Sequence, residues 1–304
     1  MAMAAKVDKT IPFTREPLKL SRSGIPIFAT TDPYIQNYDK IANKHLKSLD
    51  DSGENPFMSE ETWSTIDNST IEILRNIIRP RDVILDAGVG LGAILGAFPD
   101  NERHGVDVSL DYLERTTSRG INVSLARLED LPFPDASFDC VVSTDVLEHV
   151  IDFYGATKEL VRVLKPQGYL VVRVPLEEDM KAYYDYYEFK FVHLRRFDIW
   201  SLRLHFERLL GLQFVLDKPV LPLYRGVSTS RIRPVENGET IRDILNQLPN
   251  DMPGVREFTS FTELESDKYE SFMNSVAVQF PKVFAELTQA TAGYLEINVV
   301  FRKN

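Results

Sequence analysis

Two carboxylates and three glycines have the types and spacing to do chemistry. Asp86-Ala87-Gly88-Val89-Gly90-Leu91-Gly92 follows a short apolar run, and Asp107 lies 21 residues after Asp86. Glycines placed after a strand let the backbone turn sharply and approach a ligand with no Cβ in the way. Gly88, Gly90 and Ala93 also satisfy the looser spacing of a dinucleotide fingerprint. Asp86 points to a different ligand, because a carboxylate two residues before the first glycine opposes a pyrophosphate and suits a cation or an amine. A carboxylate at Asp107 can accept both hydroxyls of a ribose, a role that nicotinamide enzymes share.

Histidine is the side chain best suited to removing a proton near neutral pH, and the chain has five. His149 lies in Thr144-Asp145-Val146-Leu147-Glu148-His149, after the fourth expected strand. His193 lies in Phe189–Phe197 (FKFVHLRRF), after the fifth. Both are candidate catalytic bases, with Asp145 and Glu148 as partners or bases in their own right. His45, His104 and His205 read as structural or solvated. The run Tyr183, Tyr184, Tyr186, Tyr187, Phe189, Phe191 could line an apolar acceptor pocket or simply pack a connecting helix.

The elements that must position these residues alternate between strand and helix. Expected strands are Val83–Asp86, His104–Val108, Ile121–Leu125, Phe138–Ser143, Tyr169–Val174, Leu212–Val220 and Tyr294–Phe301. Helices are expected from about Ser59 to Ile78, where Ile66, Ile73, Leu74 and Ile77 form a stripe, and over Phe153–Leu164, stopped by Lys165-Pro166-Gln167-Gly168. A further helix is expected over Asp198–Leu210, between an aspartate N-cap and Gly211. Alternation of this kind predicts an α/β, doubly wound, mostly parallel seven-stranded sheet with its last strand antiparallel. Residues 1–58 read as an N-terminal extension and helical lid, 59–223 as the core, 224–290 as an inserted cap that selects the acceptor at the carboxyl edge of the sheet, and 291–304 as the last strand.

Three blocks together carry a resemblance. Asp86–Gly92, Leu131-Pro132-Phe133-Pro134-Asp135 with Phe138-Asp139, and Glu159–Gly168 (ELVRVLKPQG) resemble the class I S-adenosylmethionine (SAM)-dependent methyltransferases that include the ubiquinone and menaquinone biosynthesis enzymes. The likeness runs over about Ile71–Val174 and implies a Rossmann-like fold with SAM as cofactor. It places Asp86, Gly88, Gly90 and Gly92 around the methionine moiety, Asp107 on the ribose and Val108 beside the adenine. Ala126–Glu129 would edge the adenine, with Leu128 and Glu129 in the set and Arg127 standing where the family often has Asp. Thr144, at the end of the fourth strand, joins the expected cofactor residues. Gly24–Phe28 resembles the stretch that follows a zinc ribbon in some ribosomal-RNA and sugar methyltransferases. Tyr34 and Tyr38 match a position that closes over the methionine end of SAM or packs as lid core.

Composition narrows the partners. A formal net charge of −10 disfavours non-specific nucleic-acid binding, although Arg225, Arg231 and Arg233 lie close together. The single cysteine, Cys140, sits in an apolar run, so neither a disulfide nor a cysteine-rich zinc site is expected, and no metal is assigned. No leader or membrane span is read, and the expected location is the cytoplasm. The expected function is SAM-dependent O-methylation of a small molecule such as a sugar or secondary metabolite. C- or N-methylation of a small molecule or peptide is the alternative within enzymes. An NAD-binding oxidoreductase and a non-catalytic SAM-binding protein are alternatives of other classes.

Overall fold

Strands that are apolar on both faces need cover on both sides, and the centre of this chain is built from them. In a computed structural model the described residues are 11–178, 180–184, 188–224, 241–255 and 266–304. Tyr186, Tyr187, Arg225, Arg231 and Arg233 lie outside them. The strands are β1 (Lys19–Leu20), β2 (Pro26–Ile27), β3 (Val83–Ala87), β4 (Glu102–Asp107), β5 (Asn122–Leu125), β6 (Phe138–Thr144), β7 (Leu164–Pro175), β8 (Gln213–Tyr224) and β9 (Ala292–Arg302). They form one sheet in the order β1-β2-β5-β4-β3-β6-β7-β9-β8. Pairing is parallel from β2 to β7, and β9 runs antiparallel to β7 from Tyr169↔Arg302 to Pro175↔Glu296.

Seven of these strands are the expected ones, with the last antiparallel. The sheet has nine because the two-residue strands β1 and β2 form a hairpin whose Ile27 pairs with Leu125 at the β5 edge. Segments that short carry no period in the sequence.

Alternation along β3 shows how the layers form. Leu85 and Ala87 join the core cluster that holds Ala156, Leu160 and Val163 of α5 (Phe153–Val163). Ile84 faces the other side, with Ile73 and Leu74 of α2 (Glu60–Ile77), Ile94 of α3 (Ala93–Gly96) and Leu113 of α4 (Leu110–Thr116). Before these, α1 (Pro33–Ser52) starts at Asp32, whose carboxylate accepts from the Ile35 N–H, and ends at Gly53 in the left-handed region. A short α6 (Met180–Tyr184) follows β7.

Two expectations need correction. The helix expected over Asp198–Leu210 is α-helical only as α7 (Ile199–Arg203) and then widens into a π-helical turn over Leu204–Leu209. Nor does Lys165–Gly168 separate helix from strand. β7 begins at Leu164, which pairs with Phe138, and the register shifts before Cys140 pairs with Tyr169. The tetrapeptide is therefore a bulge inside the strand, with Gln167 at φ 66°.

Leu221–Leu295 separates as a second compact unit. Its described helices are α8 (Ile241–Leu245), α9 (Ser266–Gln279) and α10 (Pro281–Thr291). They share a core of Ile244, Leu245, Leu248, Phe272, Val276 and Leu287.

Candidate functional site

On either side of β3 the chain connections leave in opposite directions, to β4 and β5 on one side and β6 and β7 on the other. Crevices beyond the strand ends at such a reversal are where open α/β sheets take ligands. Asp86 and the glycine turn leave β3 here, Asp107 and Val108 leave β4, and Thr144–His149 leaves β6.

The three glycines do different work. A Cβ at Gly88 would run into Val146, and one at Gly92 would come within 2.9 Å of Thr116 and Ile121. Both are packing positions. A Cβ at Gly90 would meet nothing within 4 Å. It would fill open space in front of the turn, where a ligand could lie against the backbone. Asp107 holds that turn, since its carboxylate accepts the Gly90 N–H and the Ser109 N–H, each at 2.9 Å. These bonds leave carboxylate lone pairs for a further donor.

Asp86 is 2 % exposed, and its Oδ1 has no hydrogen-bond partner. Burial, with the negative charges of Asp67 and Asp107 nearby, raises its pKa to about 8. A buried orphan carboxylate beside an open glycine turn suits a cationic amine, whereas a pyrophosphate would meet repulsion. The residues present therefore fit the amino and ribose ends of SAM.

The N-terminal helix contributes more than was read from sequence. Tyr34 and Ile35 cluster with Val108, and Tyr38 and Phe191 pack against them. Tyr38 donates its hydroxyl to the Phe191 carbonyl at 2.8 Å. Arg127, on the loop before Leu128, pairs with Asp32 and Glu129 and lies over the Tyr34 ring at 4.7 Å. The departure from the family's Asp is thus a clamp from the β5 loop to the start of α1. Leu128 is buried core, and Glu129 is a partner of the clamp. Thr144 ends β6 opposite Arg173, next to Ser143, whose hydroxyl donates to the Ala87 carbonyl.

His149 and His193 meet with ring centroids 4.8 Å apart. Their segments are joined where the Leu194 N–H donates to the Glu148 carbonyl at 2.7 Å. His193 Nδ1 lies 2.6 Å from Glu178 Oε2, and Tyr183 stacks on its ring at 4.3 Å. Burial, then the neighbouring His193, lowers the His149 pKa to about 3, so it is neutral at physiological pH. Tyr38 reaches the same cluster, its ring 5.7 Å from His149. Asp145 is instead held by Arg173, which is 1 % exposed and also pairs with Asp67 at 3.0 Å and Glu296 at 2.8 Å.

The other histidines are structural. His104 is buried against Phe133, Phe138 and Glu102, His45 bonds Tyr112, and His205 bonds Thr157 at 2.7 Å. His205 is therefore not on a solvated helix face. The π-helical turn carries it against Phe153.

Comparison with known proteins agrees with this geometry. Residues 85–172 match a family model described as a methyltransferase domain. An uncharacterized protein of Methanocaldococcus jannaschii is 34 % identical over 137 residues, which are 45 % of this chain and 60 % of that protein. The ubiquinone/menaquinone biosynthesis C-methyltransferase of Vibrio cholerae is 33 % identical over 127 residues, covering 36 % of this chain and 49 % of the relative. Each match thus spans less than two thirds of the relative. Among solved structures, a Haemonchus contortus phosphoethanolamine N-methyltransferase in complex with SAM superposes with TM-score 0.52 at 15 % identity, over 92 % of this chain and 61 % of that one. The reversal-point crevice, the orphan Asp86, the open Gly90 and the matched family model lead to one identification: the chain carries a class I SAM-dependent methyltransferase domain, and SAM is the cofactor of that domain.

Proposed function

We propose that the chain transfers the methyl group of SAM to an oxygen of a small-molecule acceptor. The observation that carries this reading is the His149–His193 pair. It stands after β6 and β7, on the strand-end side that also presents Asp86 and Gly90. SAM supplies an already activated methyl on a sulfonium, so the protein's work is to align acceptor and donor and to take the acceptor's proton. As the new oxygen–carbon bond forms, the sulfur keeps the electrons of the old one, and the acceptor proton must leave. His193 is suited to receive it. With Nδ1 donating to Glu178, the other ring nitrogen has a free lone pair. His149 and Asp145 complete the proposed acceptor side, and Tyr34 and Tyr38 close the methionine end.

A small acceptor rather than nucleic acid is supported by the net charge of −10. Among the described residues no helix is long and apolar enough to cross a membrane. C-methylation is a second reading, favoured by the C-methyltransferase named above. An NAD-linked reaction is disfavoured by Asp86, whose carboxyl beside the glycine turn suits an amine rather than a pyrophosphate. The test is SAM turnover against metabolite fractions separated by mass, watched for a product heavier by one methyl. SAM binding with no turnover on any fraction would favour a non-catalytic SAM-binding protein.

Two binding predictions follow from the cradle. Asp107→Ala should weaken SAM by on the order of 1.5–3 kcal/mol, roughly 10- to 150-fold, through loss of charge-assisted hydrogen bonds. Gly90→Val should abolish binding, because the added side chain enters the open space in front of the turn, and the fold is retained if the turn tolerates a branched residue at φ 48°. Calorimetry on both folded variants checks this, and an unchanged affinity for either would remove that residue from the cofactor site.

Asp86 makes a proton prediction. With its pKa near 8 when no ligand is bound, it is largely protonated at pH 7. A cationic ligand favours the ionised form, so SAM binding should release a proton into solution at pH 7. Affinity should then rise as pH increases toward about 8. The observed binding enthalpy should therefore differ between buffers of different ionisation enthalpy, and Asp86→Asn should remove the difference.

A further inference from the structure

We propose that Glu148, His149 and His193 form a binding site for a divalent first-row transition-metal cation of the Zn²⁺, Co²⁺, Fe²⁺ or Mn²⁺ class. One ligand atom from each of the three lies within 4.8 Å of the others. Two imidazoles and one carboxylate are the donor set such cations take, with positions left open for a water or a substrate oxygen.

An independent observation at Glu148 points the same way. Its side chain is 1 % exposed, yet neither carboxylate oxygen has a hydrogen-bond partner on another residue. A buried carboxylate with no hydrogen bond is strongly disfavoured unless a counter-charge is supplied. Arg173 is already shared by Asp67, Asp145 and Glu296, and Arg195, whose charge reaches Glu148, makes its hydrogen bonds to the Leu147 and Ile151 carbonyls rather than to that carboxylate. His149 Nε2 lies 3.7 Å from Glu148 Oε1.

The surroundings are arranged as ligand supports. His193 gives Nδ1 to Glu178, which also accepts the Tyr183 hydroxyl. A carboxylate on the far nitrogen fixes the ring and raises the basicity of the near one, the usual backing of a metal-bound histidine. His149 is held by the same segment, with its Nδ1 3.4 Å from the His193 backbone nitrogen. His193 itself is held at φ 30°, a conformation a non-glycine residue keeps only where its surroundings demand it.

A cation here would lower the pKa of an acceptor hydroxyl that binds it, the proton leaving to solvent, and His193 would then act as a ligand rather than a base. That use rests on the methyltransfer reading, whereas the binding of the cation does not.

The test is a Co²⁺ titration of the chelator-treated full chain, followed by visible absorption, with Zn²⁺ competition. SAM affinity is measured by calorimetry on the same preparation. The expected result is saturable uptake of one Co²⁺ per chain, with nitrogen-ligand d–d bands that Zn²⁺ abolishes. Glu148→Gln and His193→Ala should each lose the bands while circular dichroism and SAM affinity stay as in the unmodified chain. Glu178→Gln should weaken Co²⁺ about 10- to 100-fold. Absence of saturable Co²⁺ and Zn²⁺ binding in the unmodified chain overturns the site, as does a folded Glu148→Gln variant that binds like it. SAM binding without metal binding would sink the metal site alone. Metal binding without SAM binding would sink the methyltransfer reading alone.

Discussion

Replacing His193 by alanine should leave SAM affinity nearly intact and lower turnover by about 10²–10⁴-fold, the usual contribution of a positioned proton-handling group. The variant keeps Asp86, the glycine turn and Asp107, which stand on other strands and make no hydrogen bond to residue 193. The lost group is the one at the acceptor side, so the effect belongs in kcat rather than in cofactor binding. The competing account is that His193 only orders the segment leading into α7. Alanine also loses the bond to Glu178 and the stacking contact with Tyr183, so some loss of thermal stability is expected in either case. The deciding quantity is therefore turnover per folded molecule. Full turnover per folded molecule with a lowered melting temperature would reject the catalytic role and move the assignment to His149.

The second large effect is on stability. Arg173→Met should destabilise the core by about 3–5 kcal/mol, because Asp67 and Glu296 would stay buried, and Asp145 half-buried, with their shared cation gone. For a domain of this size, that is a fall in melting temperature on the order of 10 °C. The loss should depend on pH with a definite sign. Burial holds the Glu296 and Asp67 pKa values above their ordinary range, and Arg173 opposes that shift in both. Removing the cation raises both further, so the folded variant binds protons that the unfolded chain gives up. Its stability must then fall as pH rises above the ordinary carboxylate range and recover below it. Melting curves of the variant from pH 5 to 8 check this, and a penalty independent of pH would mean that Arg173 acts through packing alone.

How much of this could be read from the chain itself depended on distance along it. Asp86 to Gly92 is a local signal, since turn, strand end and helix start fall within seven residues and each residue type has its own reason to be there. The roles within that signal were not local. Which glycine faces open space depends on Val146, Thr116 and Ile121, which arrive from other elements. The clamp from Arg127 to Asp32 joins residues 95 apart, and neither charge differs in sequence from any solvated one. Asp145 and His149 were both legible as residues at the strand-end side, yet Arg173 takes the first into a buried ion network and Glu148 stands with the second. Nothing in the sequence marks Arg173, which sits in an apolar strand, as the centre of four polar groups, three of them buried. A signal for Glu148 was available: it directly precedes a candidate base, at a strand end where a buried carboxylate needs a partner.

The position of β9 between β7 and β8 has a consequence for how the molecule is made. A ribosome delivers β8 before β9, and among the described residues β9 is the strand beside β8 in the sheet. Until the last of the three emerges, β8 lacks its strand partner, and Arg173 on β7 lacks Glu296. The segment between β8 and β9 must also be synthesised, and its two ends brought side by side, before the sheet can close. That order makes final closure a long-range, late event, slow compared with pairing among β3, β4 and β5. A nascent chain halted before Ala292 should accordingly be far more open to proteolysis at β8 than at the glycine turn.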